Sequence, residues 1–155
     1  MYLNITFLNA PKHIIRDYDP ADYDQLLELW NLTGLNYPER GDDREVIDRC
    51  LMMGGKLLVM IETVENRLIG SSWMTYDGRR IHLHHFAIHP DYQNRGLGKI
   101  MTRESLQFIN KMGQQVKLEV HKENKIAKHL YEKFGFFAFT DYDIYMLRDP
   151  DNLNL

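Results

Sequence analysis

Phe86-Ala87-Ile88-His89-Pro90-Asp91-Tyr92-Gln93-Asn94-Arg95-Gly96-Leu97-Gly98-Lys99 is the stretch whose reading decides the fold. An apolar run, Phe86 to Ile88, leads into a turn-forming segment. After the glycines, Leu97, Met101, Phe108 and Met112 recur near one face of a helical pattern that Gly113 stops. The order is strand, short turn, glycine loop, helix. Such a loop gathers unpaired backbone N–H groups at a helix N-terminus, where the helix dipole favours an anion such as a phosphate. Gly96 and Gly98 carry no Cβ, so the backbone can approach a ligand closely. Two other phosphate loops do not fit. No Gly-Lys-Ser/Thr follows, as a P-loop needs, and no third glycine with a ribose-binding acid about 20 residues on completes a dinucleotide site.

Downstream, Val116 to His121 alternates apolar and polar residues. This predicts a strand with 116, 118 and 120 on one face and Glu119 on the other. Asn124 caps a predicted helix carrying Ala127, Leu130, Tyr131 and Phe134, and two last strands are expected around Phe136–Phe139 and Asp143–Leu147. Upstream of the loop, Lys56–Ile61, Leu68–Tyr76 and Ile81–His89 read as strands, the last two joined by Asp77-Gly78, a dipeptide favoured in tight hairpin turns. Earlier still, Ile14-Ile15-Arg16 reads as a short strand. Asp19-Pro20 opens a helix with Tyr23, Leu26, Leu27 and Trp30 on one face, and Asp42 or Asp43 opens another through Val46, Ile47, Cys50 and Leu51. Between those helices, Asn31 to Gly41 is broken by turn formers.

Composition narrows the function classes. The 155 residues are 44% hydrophobic and 26% charged, which suits one globular domain spanning 1–155. A net charge of -3 and the lack of any Lys/Arg cluster argue against nucleic acid or a membrane surface as partner. The lone Cys50 excludes an intrachain disulfide and cysteine-rich metal motifs. With neither a signal-peptide pattern nor a long apolar run, a cytoplasmic monomer or homodimer is expected.

The segment Phe86 to Gly98, taken with Leu118–Asn124 and Leu130–Phe136, resembles the GCN5-related N-acetyltransferases (GNAT), whose loop pattern is Gln/Arg-x-x-Gly-x-Gly/Ala after a strand. The resemblance extends over a core at about 14–148. The resemblance implies an α/β (α+β) fold: a mixed, mostly antiparallel sheet of about seven strands flanked by about four helices and splayed between strands four and five. It also implies acetyl-CoA (coenzyme A) as co-substrate and the primary amine of a small molecule or peptide as acceptor. Gln93, Asn94, Arg95, Gly96, Leu97, Gly98 and Lys99 would then hold the pyrophosphate. Phe86, Ala87 and Ile88 would run beside the pantetheine arm and offer an oxyanion site, while Asn124, Lys128 and Tyr131 would face the cofactor from one side of a helix. Trp30, Tyr37 and Trp73 are the expected acceptor contacts.

Amine acetylation also needs proton transfers. An amine of pKa ~8 to 10.4 is mostly ammonium at neutral pH, so a base must take its proton. Tyr131 occupies the position where the family places the tyrosine that protonates the departing thiolate; spacing alone makes it a core aromatic. For the base, the resemblance offers Glu119 on strand five, while the strand-four position used by the histone-acetylating branch falls on His82. His82 and His84 share a strand face, and an imidazole can act as base near pH 7. No cysteine or carboxylate at ligand spacing supports a metal at that pair. The alternative is a non-catalytic acyl-CoA-binding or regulatory module.

Overall fold

The computed structural model describes residues 12–152. Five strands lie in sequence order: β1 (His13–Asp17), β2 (Lys56–Glu62), β3 (Arg67–Tyr76), β4 (Ile81–Ile88) and β5 (Val116–Leu118). Neighbours pair antiparallel except β4 and β5, which run parallel. Helices α1 (Tyr23–Leu32) and α2 (Arg44–Met52) cover one face, and α3 (Leu97–Met112) covers the other. The short α4 (Lys125–Lys133) follows β5 and adds Ala127 and Tyr131 to the α3 side of the core.

Local chemistry sets the element boundaries. Asp19 and Asp22 form a reciprocal capping box on a 3-10 turn, Pro20–Asp22, that leads into α1. Asp43, rather than Asp42, caps α2 by accepting from the Val46 N–H. The loop joining β3 to β4 spans four residues instead of a two-residue turn. There the Asp77 carboxylate accepts from the N–H groups of Arg79 and Arg80 at 2.8 and 2.6 Å.

Two apolar layers fill the space on either side of the sheet. Leu26, Leu29, Trp30, Ile47, Leu57, Val59, Trp73 and Ala87 meet on the α1/α2 side. Leu58, Met60, Ile69, Met74, Ile81, Leu83, Leu97, Met101 and Tyr131 meet on the α3 side. The buried stripe of α1 is Leu26, Leu29 and Trp30, so Leu29 takes the place expected for Leu27. In α3, Ser105 is buried where the sequence offers only a polar residue, and its hydroxyl meets that of Ser72 at 2.7 Å.

The strand count differs from expectation: five instead of seven. Phe136–Phe139 and Asp143–Leu147 form no strand, and β5 ends at Leu118. Apolar alternation makes a strand only where a partner edge supplies hydrogen bonds. Here Phe137, Phe139 and Tyr142 pack edge to face with one another instead, at centroid distances of 5.3 and 5.8 Å, and all three remain exposed.

The sheet opens where it was expected to. β4 pairs with β5 only at Ile81–Val116, His82–Lys117 and Leu83–Leu118. From His84 to Ile88 the edge of β4 that faces β5 has no strand to bond, leaving a gap in the β4–β5 pairing that runs up to the glycine loop.

Candidate active site

One side of the gap is built from backbone. A 3-10 turn, Pro90–Tyr92, follows β4, and the chain then passes through left-handed conformations at Asn94 (φ 60) and Gly96 (φ 78) before α3 begins. No carbonyl among the described residues accepts from the N–H groups of residues 94 to 99. A Cβ on Gly96 would meet no protein atom within 4 Å, so the space beyond it is open. Gln93 donates to the Ile88 carbonyl at 2.9 Å; Arg95 donates to the Asp91 carbonyl at 2.7 Å and lies over the Tyr92 ring. These contacts hold the loop and leave its N–H groups, with the exposed Lys99, facing out. Leu97 contributes only its N–H, because its side chain is buried in the core. The cradle suits a phosphate or pyrophosphate.

Tyr131 comes from α4 and packs into the α3-side core beside β4. It is 6% exposed, packs edge-on to Phe86 with centroids 5.9 Å apart, and leans on Phe136. Its hydroxyl meets no hydrogen-bond partner among the described residues, and burial pushes its pKa well above the ordinary 10.0. Asn124 and Lys128 lie on the exposed surface of α4. Asn124 Oδ1 caps the helix by accepting from the Ala127 N–H, which leaves only its amide nitrogen for a ligand.

On the opposite face, side chains do the work. His82 and His84 project to the same side of β4 with ring centroids 3.9 Å apart, and Glu119 reaches His82 across the gap, Oε1 to Nε2, at 3.8 Å. The three base candidates are thus brought together. His84 Nε2 bonds the Thr75 hydroxyl at 2.8 Å. Burial first, then His82 and His85, push the His84 imidazole down from 6.5 to about 3, so it is neutral and weakly basic. His82 is also lowered, by burial and then by Lys117, against the opposing pull of Glu119.

The sequence reading missed His85. A β-bulge shifts the β3–β4 register between Ser71 and Trp73, and His85 takes a positive φ of 39. Its ring therefore joins His84 on the α1/α2 side, against Trp30 and Trp73 at 4.3 and 5.3 Å. The Ser71 hydroxyl holds the bulge by donating to the His85 carbonyl at 2.7 Å, and itself accepts from Trp30 Nε1 at 3.0 Å. Asp42 Oδ2 stands 3.3 Å from His85 Nε2, yet off the line an N–H would take, so neither ring nitrogen makes a hydrogen bond. The signal was present: the His84-His85 doublet breaks the alternation that Ile81 to His84 follow.

Trp30 and Trp73 do not reach the acceptor side directly. At 0% and 2% exposure they are stacked core residues, 5.8 Å apart, that support the histidines from beneath. Tyr37 is half-exposed in the α1–α2 loop, with the Arg40 guanidinium 4.6 Å above its ring.

Residues 23–136 match the family model described as the acetyltransferase (GNAT) family. The chain belongs to the GNAT acetyltransferase family. Among its relatives is an acetyltransferase of Yersinia pestis (strain Pestoides F), 26% identical over 123 residues, which cover 79% of this chain and 86% of that one. Solved GNAT-type structures share the fold. An acetyltransferase from Streptococcus agalactiae superposes with a TM-score of 0.73 at 20% identity, covering 89% of this chain and 93% of the other. The ribosomal-protein-S18-alanine N-acetyltransferase from Escherichia coli does so with a TM-score of 0.70 at 18% identity, covering 83% and 79%. GNAT enzymes generally take acetyl-CoA as co-substrate. No helix among the described residues is long and apolar enough to cross a membrane.

Proposed function

We propose that the chain is an acetyl-CoA-dependent N-acetyltransferase in which a primary amine of a small molecule or peptide attacks the bound thioester directly. The observation that carries this reading is the gap between β4 and β5, with backbone donors and Tyr131 on one side and the His82–Glu119 pair on the other. Acetyl-CoA supplies an activated acetyl group. The free N–H groups of residues 94–99 fit its pyrophosphate, and the edge of β4 beyond Leu83, which no strand covers, fits an extended pantetheine arm and the developing oxyanion.

The two proton tasks fall to different faces. Glu119 and His82 act as a unit: one accepts the ammonium proton, directly or through one water, and the other steadies the charge. His82, lowered by burial, is unprotonated at neutral pH and available as acceptor. His84, at about 3, is too weak a base for the task and serves to position His82 through the contact of their tilted rings. Burial keeps the Tyr131 hydroxyl protonated, so its proton is present throughout the working range. Full transfer from such a weak acid to a thiolate of pKa ~8.5 is uphill, so the hydroxyl acts chiefly by hydrogen-bonding the departing sulfur as charge develops there.

The test is thiol release from acetyl-CoA with a panel of primary amines, run beside calorimetric titration of acetyl-CoA. Amine-dependent release supports the reading. Tight binding without release across the panel would leave a binding module instead.

A further inference from the structure

The surface next to the acceptor side carries charges that the transfer reaction does not use. The loop over residues 33–43 joins α1 to α2. Its Asp42 end sits beside His85, and its Tyr37–Arg40 end forms an open cleft of about 340 Å³ with Arg148 of the C-terminal segment. Arg40 stacks on Tyr37, and Arg148 Nη1 donates to the Glu39 carbonyl at 3.4 Å. Neither guanidinium has a carboxylate within ion-pair distance among the described residues. Arg16, Arg44 and Lys56 do pair, with Asp22, Asp24 and Asp17.

Glu39 also lines the cleft, so two guanidiniums face one carboxylate in a chain whose net charge is -3. The positive excess is local. Guanidinium groups present forked N–H donors matched to carboxylate and phosphate oxygens, and one already flattened on an aromatic ring loses little freedom on binding them. One residue, Gly41, separates Arg40 from Asp42, which limits their Cα separation to about 7 Å. The cleft therefore adjoins the loop end whose Asp42 touches His85.

We propose that this cleft receives the anionic end of the acceptor, so that the amine acetylated here carries a carboxylate or a phosphate several bonds from its nitrogen. The inference rests on the transferase reading and adds a substrate class to it. Tyr37 contributes an apolar wall, Arg40 and Arg148 hold the anion, and Glu39 repels acceptors with a second acidic group in the wrong place.

Matched amines test it: aminohexanoate, aminohexyl phosphate and aminohexanol. One or both anionic amines should show kcat/KM about tenfold above the neutral one, through KM, as expected for one or two charge-assisted hydrogen bonds. Arg40→Gln and Arg148→Gln should each pull that ratio toward one, whereas Arg79→Gln, an equal loss of charge on the β3–β4 loop, should leave it. Calorimetric titration with hexanoate and hexyl phosphate reads the same cleft without turnover. Preference for one anion in both assays identifies the source. If no amine is acetylated but either acid binds and Arg40→Gln abolishes that binding, the anion cleft stands and the transfer reading fails. If aminohexanol is acetylated as well as its anionic partners and neither acid binds, the cleft assignment is overturned while transfer stands.

Discussion

The two sides of the β4–β5 gap are made of different material. On the proposed cofactor side the open groups are backbone N–H groups, fixed by a glycine loop and a helix start, with side chains such as Gln93 and Arg95 holding the loop. On the proposed acceptor side the candidate groups are side chains, His82, His84, His85 and Glu119, placed by a bulge and by cross-strand contacts. A backbone site tolerates most substitutions and fails when the path of the chain changes. A side-chain site fails one residue at a time, and each failure leaves its own pH signature.

Tyr131, the side chain proposed to meet the departing sulfur, gives the sharpest contrast. Tyr131→Phe removes a single hydroxyl and keeps the packing on Phe86, so kcat should fall by ~10² to 10³ while acetyl-CoA affinity holds. Pre-steady-state and calorimetric measurements separate the two quantities, and a large loss of affinity would place the hydroxyl in cofactor binding instead. Next in size is Gly96→Val. No protein atom obstructs the new side chain, but its φ of 78 is strained for a β-branched residue and the methyls would enter the ligand's space. Acetyl-CoA binding should weaken by ~1 to 3 kcal/mol in a variant that still folds. Unchanged calorimetric affinity would end the backbone-cradle account.

On the acceptor side the effects are smaller at neutral pH and show in the profile. If Glu119 accepts the proton, Glu119→Gln flattens the acidic limb of kcat/KM and His82→Ala only displaces it; if His82 accepts, the roles exchange. Both variants keeping the wild-type limb would mean the amine arrives deprotonated, leaving positioning as the main source of rate. The smallest expected effect is on stability. His84 titrates at about 3 in the folded chain against 6.5 ordinarily, so the unfolded chain takes up its proton first as pH falls. Stability tied to the neutral imidazole is complete above 6.5 and is lost as pH falls toward 3. The urea midpoint should therefore drop between about pH 7 and about pH 4.5, and drop less in His84→Gln.

The same contrast explains what the sequence revealed. The glycine loop, the caps at Asp43 and Asn124 and the alternation of β5 follow from chemistry within a few residues, so they were legible. The bulge at His85 depends on register against β3. The Asp42–His85 contact joins residues from separate elements, and the Ser72–Ser105 pair joins strand to helix. None of these has a local pattern, apart from the histidine doublet. Burial of Trp30 and Trp73 was equally hidden, because an amphipathic stripe tells which residues face inward but not how deep they sit. The C-terminal strands failed for the opposite reason. Their apolar pattern is clear, but a strand also needs an edge to join.

Gly98 joins the two halves of the cofactor side. A Cβ there would come within 3.7 Å of Leu130, so α4 rests directly on the first turn of α3, in the helix that also carries Tyr131. Any ligand that stills the loop thereby slows the breathing of α4 as well. Amide hydrogen exchange along Lys125–Lys133 should fall when acetyl-CoA binds, though none of those amides touches the pyrophosphate, and a bulkier residue at Gly98 should uncouple the two.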